Sequence, residues 1–283
     1  MSYQTILATE LLAGHLNDPD WLIFDCRFDL TNPNWGFTDY QKGHIPGAVY
    51  VNLNDDLAGP VTPQTGRHPL PDPAIFAQKC AAWGITASSQ VVIYDLNGGG
   101  YAGRFWWMLR AIGFSNAALL DGGLPKWVKE NRPLATGVES PNKTTNSIAP
   151  IPFDPSRWIN SNEILKLVNS KSHLLIDARA PERFKGEVEP IDTVAGHIPD
   201  AVNRFYGLNL TEDGTFKSPE TLRAEFQTIL NGIRPEDAIV TCGSGVTSCH
   251  HILAMEIAGI PGARLYPGSW SEWIRDLSRP RIP

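Results

Sequence analysis

The sequence is poor in sulfur, with four cysteines and three methionines in 283 residues. The cysteines, Cys26, Cys80, Cys242 and Cys249, make no C-x-x-C pair. That spacing argues against a zinc site or a disulfide framework and makes a reducing cytoplasm the simplest setting. No apolar run reaches the length of a membrane span, and the opening Met-Ser-Tyr-Gln-Thr lacks the charged and then apolar segments of a signal peptide, so no membrane partner is expected. Basic residues are also in the minority, 24 Lys and Arg against 30 Asp and Glu, for a formal net charge of -6. Such a chain carries no general footprint for nucleic acid or an anionic membrane, although it can still hold a basic pocket. Nothing implies a metal or an organic cofactor.

What remains is the composition of a soluble globular protein, 42% hydrophobic and 19% charged, at a length that suits about two domains. Strand-like and helix-like segments alternate. Thr5 to Leu16 has apolar residues at helical spacing, Trp21 to Phe24 reads as a buried strand, and Pro73 to Trp83 as a helix closed by Gly84. Val91 to Tyr94 and Ala117 to Leu120 read as strands, with a helix from Arg104 to Ile112 between them. Roughly 150 residues later the same text returns. Leu22-Ile-Phe-Asp-Cys-Arg27 is repeated as Leu174-Leu-Ile-Asp-Ala-Arg179, and Gly43-His-Ile-Pro-Gly-Ala-Val49 as Gly196-His-Ile-Pro-Asp-Ala-Val202. Gly122-Gly-Leu-Pro-Lys-Trp127 is answered by Gly268-Ser-Trp-Ser-Glu-Trp273. The expectation is an α/β tandem duplication, each copy a mainly parallel sheet with helices on both faces and its chemistry in the loops at the strand C-termini. The copies should occupy 1–135 and 156–283, with 136–155, rich in Pro, Ser, Thr and Asn, as an exposed linker.

One stretch stands out chemically. The β-branched run Ala238-Ile-Val-Thr241 stops at Cys242, the loop Gly243-Ser-Gly-Val-Thr247 turns, and a helical segment begins near Thr247 or Ser248, either of which could cap it. A cysteine in a nest of backbone N–H groups at a helix N-terminus has its thiolate favoured and is a nucleophile candidate. The plainer alternative, a buried cysteine closing a strand, sits poorly with two glycines within three residues. Cys242 has Asp95 as its counterpart in the first copy, so one active and one inactive half is expected. Gly98-Gly-Gly-Tyr-Ala-Gly103, with Asp121 beyond, matches a dinucleotide fingerprint, but several elements precede it where the fingerprint opens its domain.

Taken together, both Gly-His-Ile-Pro motifs, Leu119-Leu-Asp-Gly-Gly123, the Cys242 loop and Tyr266-Pro-Gly-Ser-Trp-Ser-Glu-Trp273 resemble the two-domain sulfurtransferases of the rhodanese superfamily. The loop is most similar to that of the 3-mercaptopyruvate sulfurtransferases. The resemblance implies ping-pong transfer of a sulfane sulfur from a small anionic donor to a Cys242 persulfide, and on to a thiol or cyanide. The thiol could be a small molecule or a thioredoxin-like protein. It implies that Arg183 grips the donor's anionic group, that Gly243, Gly245, Val246 and Thr247 form the binding loop, and that Ser244 and His68 relay protons. The family's relay aspartate falls on Asn54, with Asp55 beside it, and a second family arginine falls on Ile191, after Glu189 and Pro190. Arg67 and Lys185 are the nearby cations that could replace it.

Three rivals are weighed against mercaptopyruvate transfer. Thiosulfate is the alternative donor, although Gly243 and Ser244 stand where thiosulfate-specific relatives carry cations. A cysteine phosphatase would need Cys-x5-Arg, and position 248 holds Ser. A non-turnover persulfide carrier would keep the same loop. Asp25, Arg27, Asp177 and Arg179 occur in both copies, as do His44 and His197, and are expected to be structural.

Overall fold

The computed structural model describes residues 2–141, 151–170 and 172–283. Among them are nine strands: β1 (Ile6–Leu7), β2 (Trp21–Asp25), β3 (Val49–Tyr50), β4 (Gln90–Tyr94), β5 (Ala117–Leu120), β6 (Leu174–Asp177), β7 (Ala201–Asn203), β8 (Ala238–Thr241) and β9 (Arg264–Leu265). They form two sheets, in the orders β1-β5-β4-β2-β3 and β7-β6-β8-β9, every pairing parallel. The central strands β4 and β8 are buried along their whole length, which is why Val91-Val-Ile and Ala238-Ile-Val run apolar without alternation. The fold is α/β, built from two copies of one parallel-sheet unit.

The two compact units are not contiguous in the chain. The first comprises Met1–Gly59, Pro71–Phe153 and Leu210–Phe216, and the second Pro60–Leu70, Asp154–Asn209 and Lys217–Pro283. The first unit packs Leu12, Ile23, Val92, Tyr94 and Trp127 into one cluster. The second packs Ile159, Leu175, Ile239, Trp270 and Trp273.

Each unit repeats the same polar fastener. Arg27 donates to Asp25 through Nε (3.0 Å) and Nη2 (2.7 Å) and reaches the Gly43 carbonyl at 2.9 Å. Arg179 does the same to Asp177 at 3.1 and 2.7 Å, and to the Gly196 carbonyl at 2.8 Å. All four side chains are buried, so removing one partner would strand a charge at a cost of about 3–5 kcal/mol. His44 and His197 contact the Tyr40 and Phe184 carbonyls through Nδ1 and stack on those same rings. These pairs tie the loop of each Gly-His-Ile-Pro motif to its sheet, in keeping with the structural role expected from their occurrence in both copies.

Several local expectations change. Thr5 to Leu16 divides into β1 and a short helix, Thr9–Ala13, because Ile6 and Leu7 pair with Leu119 and Leu120 and sheet pairing overrides the helical spacing. The helix between β4 and β5 starts at Ala102, two residues before the expected Arg104, since its first turn wraps the Asp95 side chain. Of the 136–155 linker, 142–150 lie outside the described residues. On either side the chain is anchored: the Gly137 N–H donates to the Gln41 carbonyl at 2.9 Å, and Phe153 is buried against Phe76 and Trp107.

Candidate active site

Strand β8 delivers Cys242 to the loop 242–246, and the helix Thr247–Ile257 carries the chain away. The loop is held from below by the turn that follows β9. Cys242 N–H donates to Ser269 Oγ at 3.1 Å, while the Cys242 and Gly243 carbonyls accept from the Trp270 and Ser271 N–H groups at 3.0 and 2.9 Å. Gly245 has φ of +76°, and a Cβ there would lie 2.2 Å from the Pro267 carbonyl oxygen, so conformation and close approach both demand glycine.

The thiol sits in this cradle almost fully buried, with the Gly245 N–H 3.2 Å from Sγ. Burial alone would raise its pKa. The hydroxyls of Ser248 and Thr247 and the backbone N–H groups of Ser244 and Ser248 outweigh that, and the pKa falls below the ordinary thiol value. Thr247 and Ser248 were candidate caps for the helix, but the cap position is Val246 and no side chain caps it. Ser248 Oγ is buried and makes no hydrogen bond of ordinary geometry.

The second unit includes Pro60–Leu70, and with it two of the residues in question. That segment lies close because Gly66 has no side chain: a Cβ there would meet the Gly268 carbonyl oxygen at 2.5 Å. The Arg67 N–H then donates to Ser271 Oγ at 3.1 Å, and His68 Nδ1 lies 2.8 Å from Ser244 Oγ, both side chains buried. The structure thus brings His68, Ser244 and Cys242 onto one loop. Asn54 and Asp55 lie in the helix Leu53–Asp56 of the first unit, with their N–H groups on the Asn52 side chain.

Two guanidiniums border the loop at Gly243, where a Cβ would lie 2.9 Å from Arg67 Nη2 and 3.5 Å from Arg183 Nη1. Of the two cations weighed for the missing arginine, Arg67 is therefore at the loop. Lys185 is largely exposed and faces Glu187 at 3.8 Å. Ile191 is exposed as well.

Sequence reasoning missed the carboxylates that hold these arginines. Glu189 grips Arg183 through both oxygens, at 2.7 and 3.0 Å to Nη2, and accepts the Ile191 and Asp192 N–H groups, and its pKa is lowered despite burial. Asp192 bridges the pair, Oδ1 on Arg67 Nη1 and Oδ2 3.1 Å from Arg183 Nη2. The only signal was an acidic residue three positions beyond Glu189 in a loop otherwise read for its missing arginine.

The first unit turns the same loop to another use. Asp95 stands at the end of β4 and accepts N–H bonds from Asn97, Gly99, Tyr101 and Ala102 at 2.8–2.9 Å. The glycines of the fingerprint-like run wrap this carboxylate, and Asp121 accepts from the Phe216 N–H at 2.8 Å.

Comparison with known proteins gives this arrangement its family. The rhodanese-like domain model matches residues 8–130 and again 160–276. A protein of Pseudomonas aeruginosa described as a probable 3-mercaptopyruvate sulfurtransferase is 46% identical over 99% of this chain and 98% of its own length. The thiosulfate sulfurtransferase of Cricetulus griseus is 33% identical over 96% of this chain and 92% of its own. Among solved structures, SseA of Escherichia coli, a 3-mercaptopyruvate sulfotransferase, superposes with a TM-score of 0.79 at 31% identity, covering 95% of this chain and all of that one. This chain belongs to the rhodanese family, as a sulfurtransferase built from two rhodanese-like domains.

Proposed function

We propose that this sulfurtransferase takes its sulfur from 3-mercaptopyruvate, stores it as a Cys242 persulfide and passes it to a thiol. The observation that carries the reading is a thiol of lowered pKa set among neutral donors, with two guanidiniums bordering the same loop. Arg183 and Arg67 hold the donor's carboxylate, and the Cys242 thiolate attacks its sulfur. The C–S bond breaks, its electron pair moves to the carbon as a pyruvate enolate, and the donor's S–H proton ends on that carbon, leaving pyruvate and an enzyme persulfide anion. Backbone N–H groups of Gly243 to Val246 face the developing charge. His68 and Ser244, in hydrogen-bond contact, are the pair suited to carry the proton.

In the second half-reaction an acceptor thiolate attacks the outer sulfur and regenerates the Cys242 thiolate. A small thiol or a thioredoxin-like protein suits this step, and the four free cysteines fit a reducing cytoplasm. The test is kcat/KM for 3-mercaptopyruvate and thiosulfate side by side, with a dithiol and with cyanide as acceptors. A large preference for mercaptopyruvate, with pyruvate release lost in Cys242→Ser, is expected. A preference for thiosulfate would replace the donor, and binding without turnover would leave only a persulfide carrier.

A further inference from the structure

Two guanidiniums at Gly243 would favour any anion, and a dianion most. The cluster in which they sit is nevertheless balanced. Arg179 is paired with Asp177, and Arg67 and Arg183 face Glu189 and Asp192, a carboxylate for every cation. Asp192 is the member that touches both loop arginines, one oxygen on each, and it is itself buried. Glu189 grips only Arg183 of the two, through both oxygens, while also accepting two backbone N–H groups and lying 3.5 Å from Arg179.

We propose that Asp192 is a specificity-determining residue that sets the charge of the accepted donor, because together with Glu189 it neutralises the Arg67–Arg183 pair and so favours a monoanion over a dianion. The inference rests on the reading that these arginines hold the donor. The cost of desolvating an ion grows with the square of its charge, whereas the attraction to the site grows only linearly. In a neutralised pocket a dianion therefore carries an uncompensated cost, while a monocarboxylate needs only to share hydrogen bonds with Asp192. Removing the Asp192 charge makes the pocket net positive, and a dianion then gains twice what a monoanion gains. No cation at the position of Ile191 is needed, because Arg67 supplies the second guanidinium from another segment.

The test is an equilibrium titration that needs no turnover: tryptophan fluorescence of the full chain carrying Cys242→Ser, at constant ionic strength, with pyruvate as monoanion and sulfate as dianion. Asp192→Asn should raise the sulfate-to-pyruvate affinity ratio by about tenfold or more, and Asp192→Glu should return it toward the starting value. An unchanged ratio in Asp192→Asn overturns the proposal. Should that variant fail to fold, Arg67→Ala decides: it should weaken sulfate more than pyruvate, and equal losses, or none, overturn the idea. Failure of mercaptopyruvate turnover would sink the proposed activity while leaving this ratio readable, so the two readings fall separately.

Discussion

Asp95 and Cys242 end the central strands of the two sheets, and the chain after each turns through glycines into a helix. In the first unit the cradle is filled by a side chain: four N–H groups converge on the Asp95 carboxyl, although burial still pushes its pKa up. In the second, the occupant is a thiol whose charge depends on its surroundings, held by the Gly245 N–H and by side-chain hydroxyls. The fold itself supplies an anion site twice. On the proposed function, chemistry belongs to the loop whose occupant is a nucleophile able to form and release a bond to sulfur.

The largest change expected from crossing the two loops is Cys242→Asp. Sulfur transfer should fall to background while the melting temperature stays close to that of the parent, since the first unit shows a carboxylate satisfied in this loop. A collapse of stability, measured by calorimetry, would mean the two cradles are not interchangeable. Gly245→Ala tests the geometry rather than the nucleophile. With φ at +76° and the Pro267 carbonyl oxygen 2.2 Å from the new Cβ, the loop must move, and kcat/KM should drop on the order of 100-fold. Asp95→Ala addresses the first unit: four N–H donors, those of Gly99 and Ala102 buried, lose their acceptor, and denaturant unfolding should show a loss of roughly 2–4 kcal/mol without a shift in the pH profile.

The subtlest effect belongs to Ser248→Ala. The acidic limb of kcat/KM reports the thiolate fraction, which falls tenfold per pH unit below the thiol pKa. Because hydroxyls and N–H groups hold that pKa below the ordinary thiol value, the parent limb should lie at lower pH than that of an ordinary thiol. Losing the Ser248 hydroxyl should move it to higher pH, and an unmoved limb would assign the stabilisation to the backbone alone.

Much of this comparison is legible in the chain itself. The repeats of Asp-x-Arg and Gly-His-Ile-Pro announce two copies because the buried pair Arg27–Asp25, or Arg179–Asp177, needs the Gly43 or Gly196 carbonyl at one separation. Local pattern failed where pairing partners were distant. Ile6 and Leu7 read as helical until Leu119 and Leu120 are placed beside them. Thr247 and Ser248 read as caps because a hydroxyl before a helix commonly is one, yet the cap position is Val246 and no side chain caps the helix.

The sequence alone determined the α/β duplication and marked Cys242 as the nucleophile candidate, since both are written in local motifs and in their repetition. Tertiary structure decided which cations border the loop. Arg67 lies 116 positions before Arg183, in a segment whose approach depends on a bare Gly66, and Asp192 joins the two only after the chain has folded. Charge balance in a buried site is a property of distances, and those distances exist only in the folded chain.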